Sequence, residues 1–386
     1  MKIILTILIL CLVFLRGGSF SYAIEDPLAV TNNKFGVHIL FPEEIEEVAS
    51  LVNSSGGDWG YVTIPIQAGD RDLEKWQGFM DKAKKYHIIP IIRLAIENDY
   101  FNTRVWRKPT EADIIDFANF LDSLEWPVKN RYVIVFNEVN RSDEWGGDAN
   151  PQEYAQILEY AYIVFKSRSQ NFFIISAGLD NASATVPGLS YNQYDFIRLM
   201  NTSVPGIFNK IDGLGSHSYP NPGFSQPPNQ NTTNSIRSYI YEKSLAEGLS
   251  LKNLPVFITE TGWSKEFVPE EIIAQYYKDA FLGAWNNENI VAVTPFLLRA
   301  NAGPFVHFSL IGKDNQKGLE YKAIEGLPKV KGEPVFPEYK KDKNILGLQT
   351  NVEQLEIKDF SKARITKESI SIPHSLIIMS KWLLKL

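Results

Sequence analysis

The sequence predicts an α/β fold, a (β/α)8 TIM barrel forming a single domain with a short C-terminal extension. Short apolar runs alternate with amphipathic stretches from Phe35 onward, at intervals suited to strand and helix. Eight such units fill residues 35–327, near the usual barrel size of roughly 250 residues plus insertions. No glycine-rich phosphate loop follows any strand, which disfavours the alternative, a doubly wound open sheet.

Each predicted strand is a run of four to eight mostly apolar residues, and each is followed by a predicted helix. The strands are Phe35–Leu40, Gly60–Ile64, Ile88–Leu94, Tyr132–Phe136, Phe172–Ala177, Ile211–Ser216, Pro255–Thr259 and Ile290–Phe296. The helices are Pro42–Val52, Asp72–Tyr86, Thr110–Leu124, Pro151–Ser169, Tyr191–Met200, Asn234–Leu249 and Pro269–Asn286, with a last one over Tyr321–Leu327. Caps support two of the helix starts, because Asn150 precedes Pro151 and Thr110 precedes two acidic residues.

Two stretches interrupt the alternation. Residues 219–234 are rich in Pro, Asn and Gln and predict a long loop over the mouth of the barrel. Residues 329–386 are a C-terminal extension of unknown role, ending in the amphipathic stretch SLIIMSKWLLKL. We expect that end to pack on the barrel as a helix, with weak membrane or cell-surface association as the alternative.

The first 23 residues have the pattern of a secretory signal peptide. Lys2 precedes an apolar run from Ile3 to Leu15, and Ser21 and Ala23 form a small-residue cleavage site. The run is shorter than the roughly 20 residues that a membrane anchor needs. We therefore expect cleavage before Ile24 and a secreted or extracytoplasmic protein. Cys11 is the one cysteine, so that the mature chain would contain neither disulfides nor Cys-ligated metals.

Composition restricts the class of function. With 386 residues, 44% of them hydrophobic, the chain can bury a large core, and residues 24–328 suffice for one catalytic domain. The formal net charge is -6 and no long basic run is present, so nucleic acid is not an expected partner. The five histidines form no HxxxH or HxH cluster with carboxylates, and we expect neither a metal nor a cofactor.

Two glutamates end strands that otherwise look fully buried. Glu138 follows VIVFN at the end of the fourth strand, and Glu260 ends the seventh in PVFITETGW. In a closed eight-stranded barrel these strand ends face each other across the mouth, where active sites lie. Two opposed carboxyl groups are the minimum apparatus for cleaving a glycosidic bond. A solvated acid or a salt bridge is the ordinary explanation for either glutamate alone, but it explains the pair poorly.

The ordered set NE, HxY and TETGW at strands four, six and seven resembles the retaining glycoside hydrolases of the (β/α)8 4/7 superfamily, clan A, which includes cellulases, mannanases and xylanases. The resemblance covers residues 35–327. It implies that Glu138 is the general acid/base and Glu260 the nucleophile of a secreted hydrolase of β-linked oligo- or polysaccharides. The alternative is a non-catalytic carbohydrate-binding barrel derived from this fold.

The resemblance also implies roles for four polar residues around the two glutamates. Asn137 would donate to the sugar 2-hydroxyl, and His217 and Tyr219 in GSHSYP would orient the nucleophile. Arg93 ends the third strand, where a guanidinium group can clamp a carboxylate. The superfamily places its arginine on strand two, so a structural ion pair is the alternative for Arg93.

Aromatic residues near strand ends could stack on the apolar faces of sugar rings. Trp106, Trp145, Trp263 and Phe296 are the candidates, with Trp145 and Trp263 preferred. Phe296 stands where the superfamily often has a tryptophan, at the end of strand eight. The rim acids Glu97, Asp99, Asp143 and Glu144 could bind sugar hydroxyls, although a solvated loop is their ordinary role. We expect the protein to act as a monomer.

Overall fold

The computed structural model describes residues 24–96 and 104–337, and within them it confirms all eight predicted strands. The expected signal peptide, the rim acids Glu97 and Asp99 and most of the C-terminal extension lie outside the described residues. The strands are β1 (Gly36–His38), β2 (Gly60–Gln67), β3 (Ile88–Ala95), β4 (Arg131–Val135), β5 (Phe172–Ser176), β6 (Leu214–His217), β7 (Val256–Glu260) and β8 (Ile290–Val293).

A helix follows every strand within this part of the chain. The helices are α1 (Ile45–Val52, after a 3-10 turn at Pro42–Glu44), α2 (Leu73–Lys85), α3 (Glu111–Asp122), α4 (Pro151–Arg168), α5 (Gln193–Ser203), α6 (Ser238–Gly248), α7 (Glu270–Asp279, continued by a π-helical turn at Ala280–Ala284) and α8 (Leu319–Glu325). No helix among the described residues combines the length and the apolar character that crossing a membrane requires.

The predicted helix caps are present as hydrogen bonds. Asn150 accepts from the backbone N–H groups of Gln152 and Glu153 at the start of α4. Thr110 and Asp113 form a reciprocal capping box at the start of α3. The start of α6 differs most from the prediction, because residues 232–235 close a hydrogen-bonded turn and the helix begins only at Ser238.

All strand pairs are parallel, and each strand pairs with its neighbour in sequence. Strands β1 to β5 form one sheet and β6 to β8 form a second. Single parallel bridges join Phe35 to Val293 and Ile175 to Gly213, at the two edges where the sheets meet. Consecutive parallel strands have their carboxyl ends on the same side. The polar residues that follow these strands are therefore gathered at one end of the sheets.

Alternating strand residues build two separate apolar layers. On β4, Val133 and Val135 pack towards the helices, whereas Tyr132 and Ile134 belong to a second cluster on the opposite face of the strands. Because both faces of the strands are buried, they read as continuous apolar runs in the sequence.

The loop over residues 219–234 is tied to the segment that follows β7. Trp263 Nε1 donates to the carbonyl oxygen of Gln226 over 2.8 Å, and the Ser264 N–H donates to the carbonyl of Phe224 over 3.1 Å. The predicted loop is confirmed as a segment without helix or strand. Its attachment positions it beside the carboxyl end of β7.

Candidate active site

Ionisable side chains converge where the strands end. They are His38 from β1, Arg93 from β3, Glu138 after β4, His217 from β6 and Glu260 from β7. His38, His217, Arg93 and Glu260 are all buried, and the side chain of Glu138 is 14% exposed. The structure thus brings together the two glutamates that the sequence singled out.

The backbone around Glu138 explains how a buried strand can deliver a carboxylate to this cluster. Phe136 has φ 72° and Glu138 has φ 35°, both in the left-handed region that side chains other than glycine seldom occupy. The Glu138 N–H donates to the carbonyl of Gly178 over 3.0 Å and holds the turn. Such conformations cost about 1 to 3 kcal/mol each and cluster at functional sites. Here they end the strand and direct Glu138 away from the core.

Glu260 is held by two hydrogen-bond donors. The Tyr219 hydroxyl donates to Oε2 over 3.1 Å, and Arg93 Nη1 donates to Oε1 over 3.4 Å. Burial, followed by the negative charge of Glu260, raises the pKa of Tyr219 well above its usual value. Tyr219 is therefore a hydrogen-bond donor at every physiological pH. Arg93 lies on the third strand, as the sequence predicted, and contacts the glutamate on the seventh.

His217 lies between the two carboxyl groups. Its Nδ1 is 3.0 Å from Oε1 of Glu138 and 3.8 Å from Oε2 of Glu260. A side chain at Gly178 would place a Cβ atom 2.1 Å from the His217 ring, so only glycine leaves room for the imidazole. One oxygen of each glutamate and a ring nitrogen of His217 lie within 4.8 Å of one another.

The site holds protons on the imidazole more readily than on the glutamate beside it. Burial raises the pKa of Glu138, but the hydrogen bond and charge of His217 and the guanidinium of Arg141 outweigh it, so the pKa is lowered. For His217, burial lowers the pKa, yet the charges of Glu260 and Glu138 prevail and raise it. Glu138 and His217 therefore share a proton that resides mainly on the imidazole.

Arg141 is a site residue that the sequence analysis missed. Its Nη1 donates to Oε2 of Glu138 over 3.1 Å, and its other nitrogens donate to the Asp143 carboxylate over 2.5 and 3.0 Å. Asp180 lies 3.8 Å away and adds a further acid to the network. The signal that could have identified Arg141 was its position in a rim loop, three residues after Glu138.

His38 was also missed, although it ends the first strand just as the other site residues end theirs. The side chain is fully buried, and neither ring nitrogen has a hydrogen-bond partner among the described residues. Burial, Arg93 and His217 lower the pKa of His38 well below its usual value, so the ring is neutral. Its Nε2 lies 3.6 Å from Oε1 of Glu260. A small shift would make this contact a hydrogen bond.

The preferred aromatic candidates are core residues. Trp145 and Trp263 are each 1% exposed. The ring of Trp145 packs against Tyr154, and that of Trp263 packs against Tyr277. So little exposed surface leaves no room for a sugar ring to stack on either side chain, although Trp145 contributes to the wall of a small cavity, and this corrects the expectation of stacking.

The other two aromatic candidates lie closer to the cluster. Phe296 is 5% exposed and contacts His38 edge to face at 5.1 Å, next to Glu260. Trp106 is partly exposed and lines a small cavity together with Asn137.

The three groups around His217 are close enough to hold a cation, which the sequence did not predict. The chemistry of these three groups is better suited to sharing a proton than to binding a metal ion. Arg93 and Arg141 already pair with the two carboxylates. The negative charges of Glu260 and Glu138 raise the pKa of His217, which favours the imidazole as a hydrogen-bond donor to these carboxylates.

Comparison with known proteins places the fold. No protein-family model matches the chain, and no curated protein matches it either. Solved structures do match. A family 39 glycoside hydrolase from Bacteroides cellulosilyticus WH2 has a TM-score of 0.55 and 17% identity, over 78% of this chain and 64% of that one, so the chain spans less than two thirds of that structure.

Two further structures belong to the GH5_18 glycoside hydrolases. The one from Streptomyces cattleya, solved in complex with Manβ1-4GlcNAc, has a TM-score of 0.55 and 13% identity, over 76% of this chain and 79% of that one. The one from Bifidobacterium longum subsp. infantis has a TM-score of 0.52 and 10% identity, over 78% and 81%. These are clan A (β/α)8 glycoside hydrolases, and the chain resembles them in fold.

Proposed function

We propose that this protein is a retaining β-glycosidase in which Glu260 is the nucleophile and Glu138 the general acid/base. The observation that carries the proposal is the short gap between the carboxyl groups, one oxygen of each lying within 4.8 Å of the other. Retaining enzymes hold their two carboxyl groups about 5 to 5.5 Å apart, whereas inverting enzymes need about 6.5 to 9.5 Å to admit a water molecule. The spacing favours attack by Glu260 itself.

The proposal includes a closed (β/α)8 barrel. Two observations support it: the similarity to barrel glycoside hydrolases, and the bridges from Phe35 to Val293 and from Ile175 to Gly213 that join the two sheets at both edges. Closure would set β4 and β7 opposite each other. Glu138 and Glu260 would then bracket a bond held across the mouth.

In the first step, Glu260 attacks the anomeric carbon and forms a glycosyl ester while the bond to the leaving oxygen breaks. Glu138 gives that oxygen a proton. The low pKa of Glu138 makes it a weak reservoir, and His217 at 3.0 Å holds the proton and supplies it through Glu138. In the second step Glu138, as a carboxylate, accepts a proton from the water that cleaves the ester.

The donors around Glu260 would fix its orientation. Tyr219 and Arg93 each donate a hydrogen bond to one of its oxygens, which restrains rotation of the carboxylate. An oriented nucleophile avoids reorganisation as the ester forms. Asn137, next to Glu138, would contact the substituent at C2 of the sugar.

Variants of the two glutamates test the assignment on aryl β-glycosides. Glu260→Ala and Glu138→Ala should each abolish hydrolysis, and azide should restore turnover to both. The Glu260→Ala product should be the α-glycosyl azide, because azide then attacks in place of the nucleophile. Glu111→Ala, on the exposed face of α3, is the matched control and should keep full activity. Full activity in either active-site variant would refute the roles.

A non-catalytic carbohydrate-binding protein is the alternative. Both carboxyl groups are present and correctly spaced, which favours the enzyme. Incubation with β-glucan, mannan, xylan and galactan oligosaccharides separates the two hypotheses. Binding without release of reducing ends would favour the binding protein.

Secretion is part of the proposal and is supported by the N-terminal sequence. The apolar run from Ile3 to Leu15 and the small residues before Ile24 have the signal-peptide pattern. N-terminal sequencing of the protein recovered from outside the producing cells should begin near Ile24. An intact N-terminus retained in the cell membrane would contradict cleavage.

A further inference from the structure

A small cavity opens beside the reaction site between the ends of β3 and β4. It has a volume of about 40 Å³, and its walls include Arg93, Trp106, Pro109, Asn137 and Glu144. One water needs about 10 to 15 Å³ of such space, so the cavity admits a few heavy atoms but not a pyranose ring. Its size fits a substituent of a sugar held at Glu138 and Glu260.

Two polar groups in this wall have unused hydrogen-bonding capacity. The Glu144 carboxyl is partly buried in this wall and makes no side-chain hydrogen bond to any described residue. The Oδ1 of Asn137 is buried and likewise has no partner within residues 24–96 and 104–337. An unsatisfied buried polar atom costs about 1 to 3 kcal/mol. A ligand that supplies one donor and one acceptor would satisfy both groups.

Apart from Arg93, the remaining side chains of the wall are apolar, and the wall is firmly held. Trp106 and Pro109 present apolar surface to the cavity. The backbone N–H of Trp106 donates to the carbonyl of Asp143, and the backbone N–H of Gly146 donates to the carbonyl of Trp106, both over 2.7 Å. These bonds tie the Trp106 segment to the loop that carries Glu144. The cavity is therefore a built feature of the fold.

Glu144 lies among charged groups of both signs. Burial, then the charge of Glu138, raises its pKa to about 8, while Arg93 and Arg141 oppose the rise and Asp143 adds to it. The raised pKa favours the protonated carboxyl near neutral pH, and the protonated form offers an O–H donor. The cavity thus presents a donor, an acceptor and an apolar surface.

We propose that this cavity binds the acetamido group of an N-acetylated amino sugar. The acetamido carbonyl would accept from Glu144, its N–H would donate to Asn137 and its methyl would pack on Trp106. A hydroxyl substituent would leave the apolar wall empty. The inference rests on the proposed function, since it places the sugar at Glu138 and Glu260 and names the class of sugar.

Binding tests the proposal independently of hydrolysis. Titration calorimetry with the full chain at pH 6.5 compares methyl N-acetyl-β-glucosaminide and -galactosaminide with methyl β-glucoside and β-galactoside. At least one acetamido sugar should bind roughly tenfold or more tightly than its hydroxyl partner, the effect of one or two hydrogen bonds. Equal or tighter binding of both hydroxyl sugars, or no binding of either acetamido sugar, would overturn the proposal.

Variants of the cavity wall test which residues cause the preference for acetamido sugars. Glu144→Ala and Trp106→Ala should reduce the preference to roughly threefold or less. Glu144→Gln, which keeps an N–H donor, should retain the preference and remove its decline above pH 8. Asp148→Asn, an exposed acid in the same loop, is the matched control and should behave as the wild type. An equal loss of affinity for acetamido and hydroxyl sugars in Glu144→Ala would show a structural role instead.

The two proposals fail in different ways. If acetamido sugars bind selectively but no glycoside is hydrolysed, the enzymatic function fails and the cavity assignment stands. If hydroxyl glycosides are hydrolysed without any selectivity for the acetamido group, the cavity assignment alone fails.

Discussion

The hydroxyl of Tyr219 lies 3.1 Å from Oε2 of Glu260 and donates its hydrogen to that oxygen. Removing the hydroxyl in Tyr219→Phe takes one donor from the proposed nucleophile and leaves the ring packing in place. A hydrogen bond to a charged group contributes about 1.5 to 3 kcal/mol. We therefore expect kcat to fall roughly 10- to 100-fold with little change in KM, as measured on an aryl β-glycoside.

Tyr239→Phe is the matched control for that variant. Tyr239 lies on α6, and its hydroxyl donates to the carbonyl of Ala284 over 2.7 Å, within the helix layer. Its loss should lower the melting temperature and leave kcat unchanged. A wild-type kcat in Tyr219→Phe would show that the contact with Glu260 has no catalytic role.

Arg141 should set the pH range in which Glu138 acts as an acid. Its guanidinium lowers the pKa of Glu138 from 3.1 Å, so Arg141→Gln should raise that pKa. The protonated form then persists to higher pH, and the alkaline limb of kcat/KM should move to higher pH. Profiles for wild type and variant between pH 4 and 9 measure the shift.

Arg198→Gln provides the comparison, because Arg198 forms an exposed ion pair with Asp195 on α5. Its pH profile should match that of the wild type. An unchanged alkaline limb in Arg141→Gln, or a move to lower pH, would contradict the role given to Arg141.

The sequence predicted the strands well because both of their faces are buried. Runs such as Tyr132 to Phe136 are long enough to identify a strand, and a polar residue directly after such a run stands out. Glu138 and Glu260 were found in this way. Arg93, His217 and Tyr219, also predicted, lie within hydrogen-bonding distance of one or other glutamate.

The partners of these residues could not be predicted in the same way. Arg141 reaches Glu138 only because the chain turns through left-handed conformations at Phe136 and Glu138, which no local pattern required. His38 ends the observed strand β1, but the predicted strand continued to Leu40, so His38 was read as an interior residue of the strand. The position of Glu144 depends on the packing of two loops against each other.

For Trp145 and Trp263 the sequence predicted a contact with sugar, whereas the structure buries both side chains. A large aromatic near a strand end can face the cleft or pack outwards, and the sequence does not distinguish these positions. Trp145 packs between Phe136 and Tyr154, and its Nε1 donates to Glu153 over 3.2 Å. Whether such a side chain faces the cleft is therefore decided by tertiary packing.

This burial yields a prediction for Trp145→Ala. Removing a fully buried tryptophan should cost about 3 to 5 kcal/mol in the free energy of unfolding, measured with urea. Trp145→Phe should recover much of the loss, and KM for an aryl glycoside should stay near the wild-type value in that variant. A large rise in KM for Trp145→Phe with unchanged stability would restore Trp145 as a sugar contact.

The buried carboxyl of Glu242 should make the free energy of unfolding depend on pH. The side chain lies on α6, is 1% exposed and accepts hydrogen bonds from Ser216 over 3.1 Å and Ser238 over 2.9 Å. Burial raises its pKa from 4.5 to about 7. The unfolded chain releases this proton at a lower pH than the native protein does, so between those pH values the unfolded state binds fewer protons.

Stability contributed by Glu242 should therefore fall as the pH rises from about 4.5 to about 7, by up to about 3 kcal/mol at roughly 1.4 kcal/mol per pH unit. Glu242→Gln cannot ionise and should remove this decline, so that the variant is more stable than the wild type at pH 8 and no more stable at pH 4. Urea unfolding at both pH values measures the difference. Glu271→Gln, an exposed position on α7, should leave the pH dependence as it is, and a Glu242→Gln protein with the wild-type slope would show that this carboxyl does not carry it.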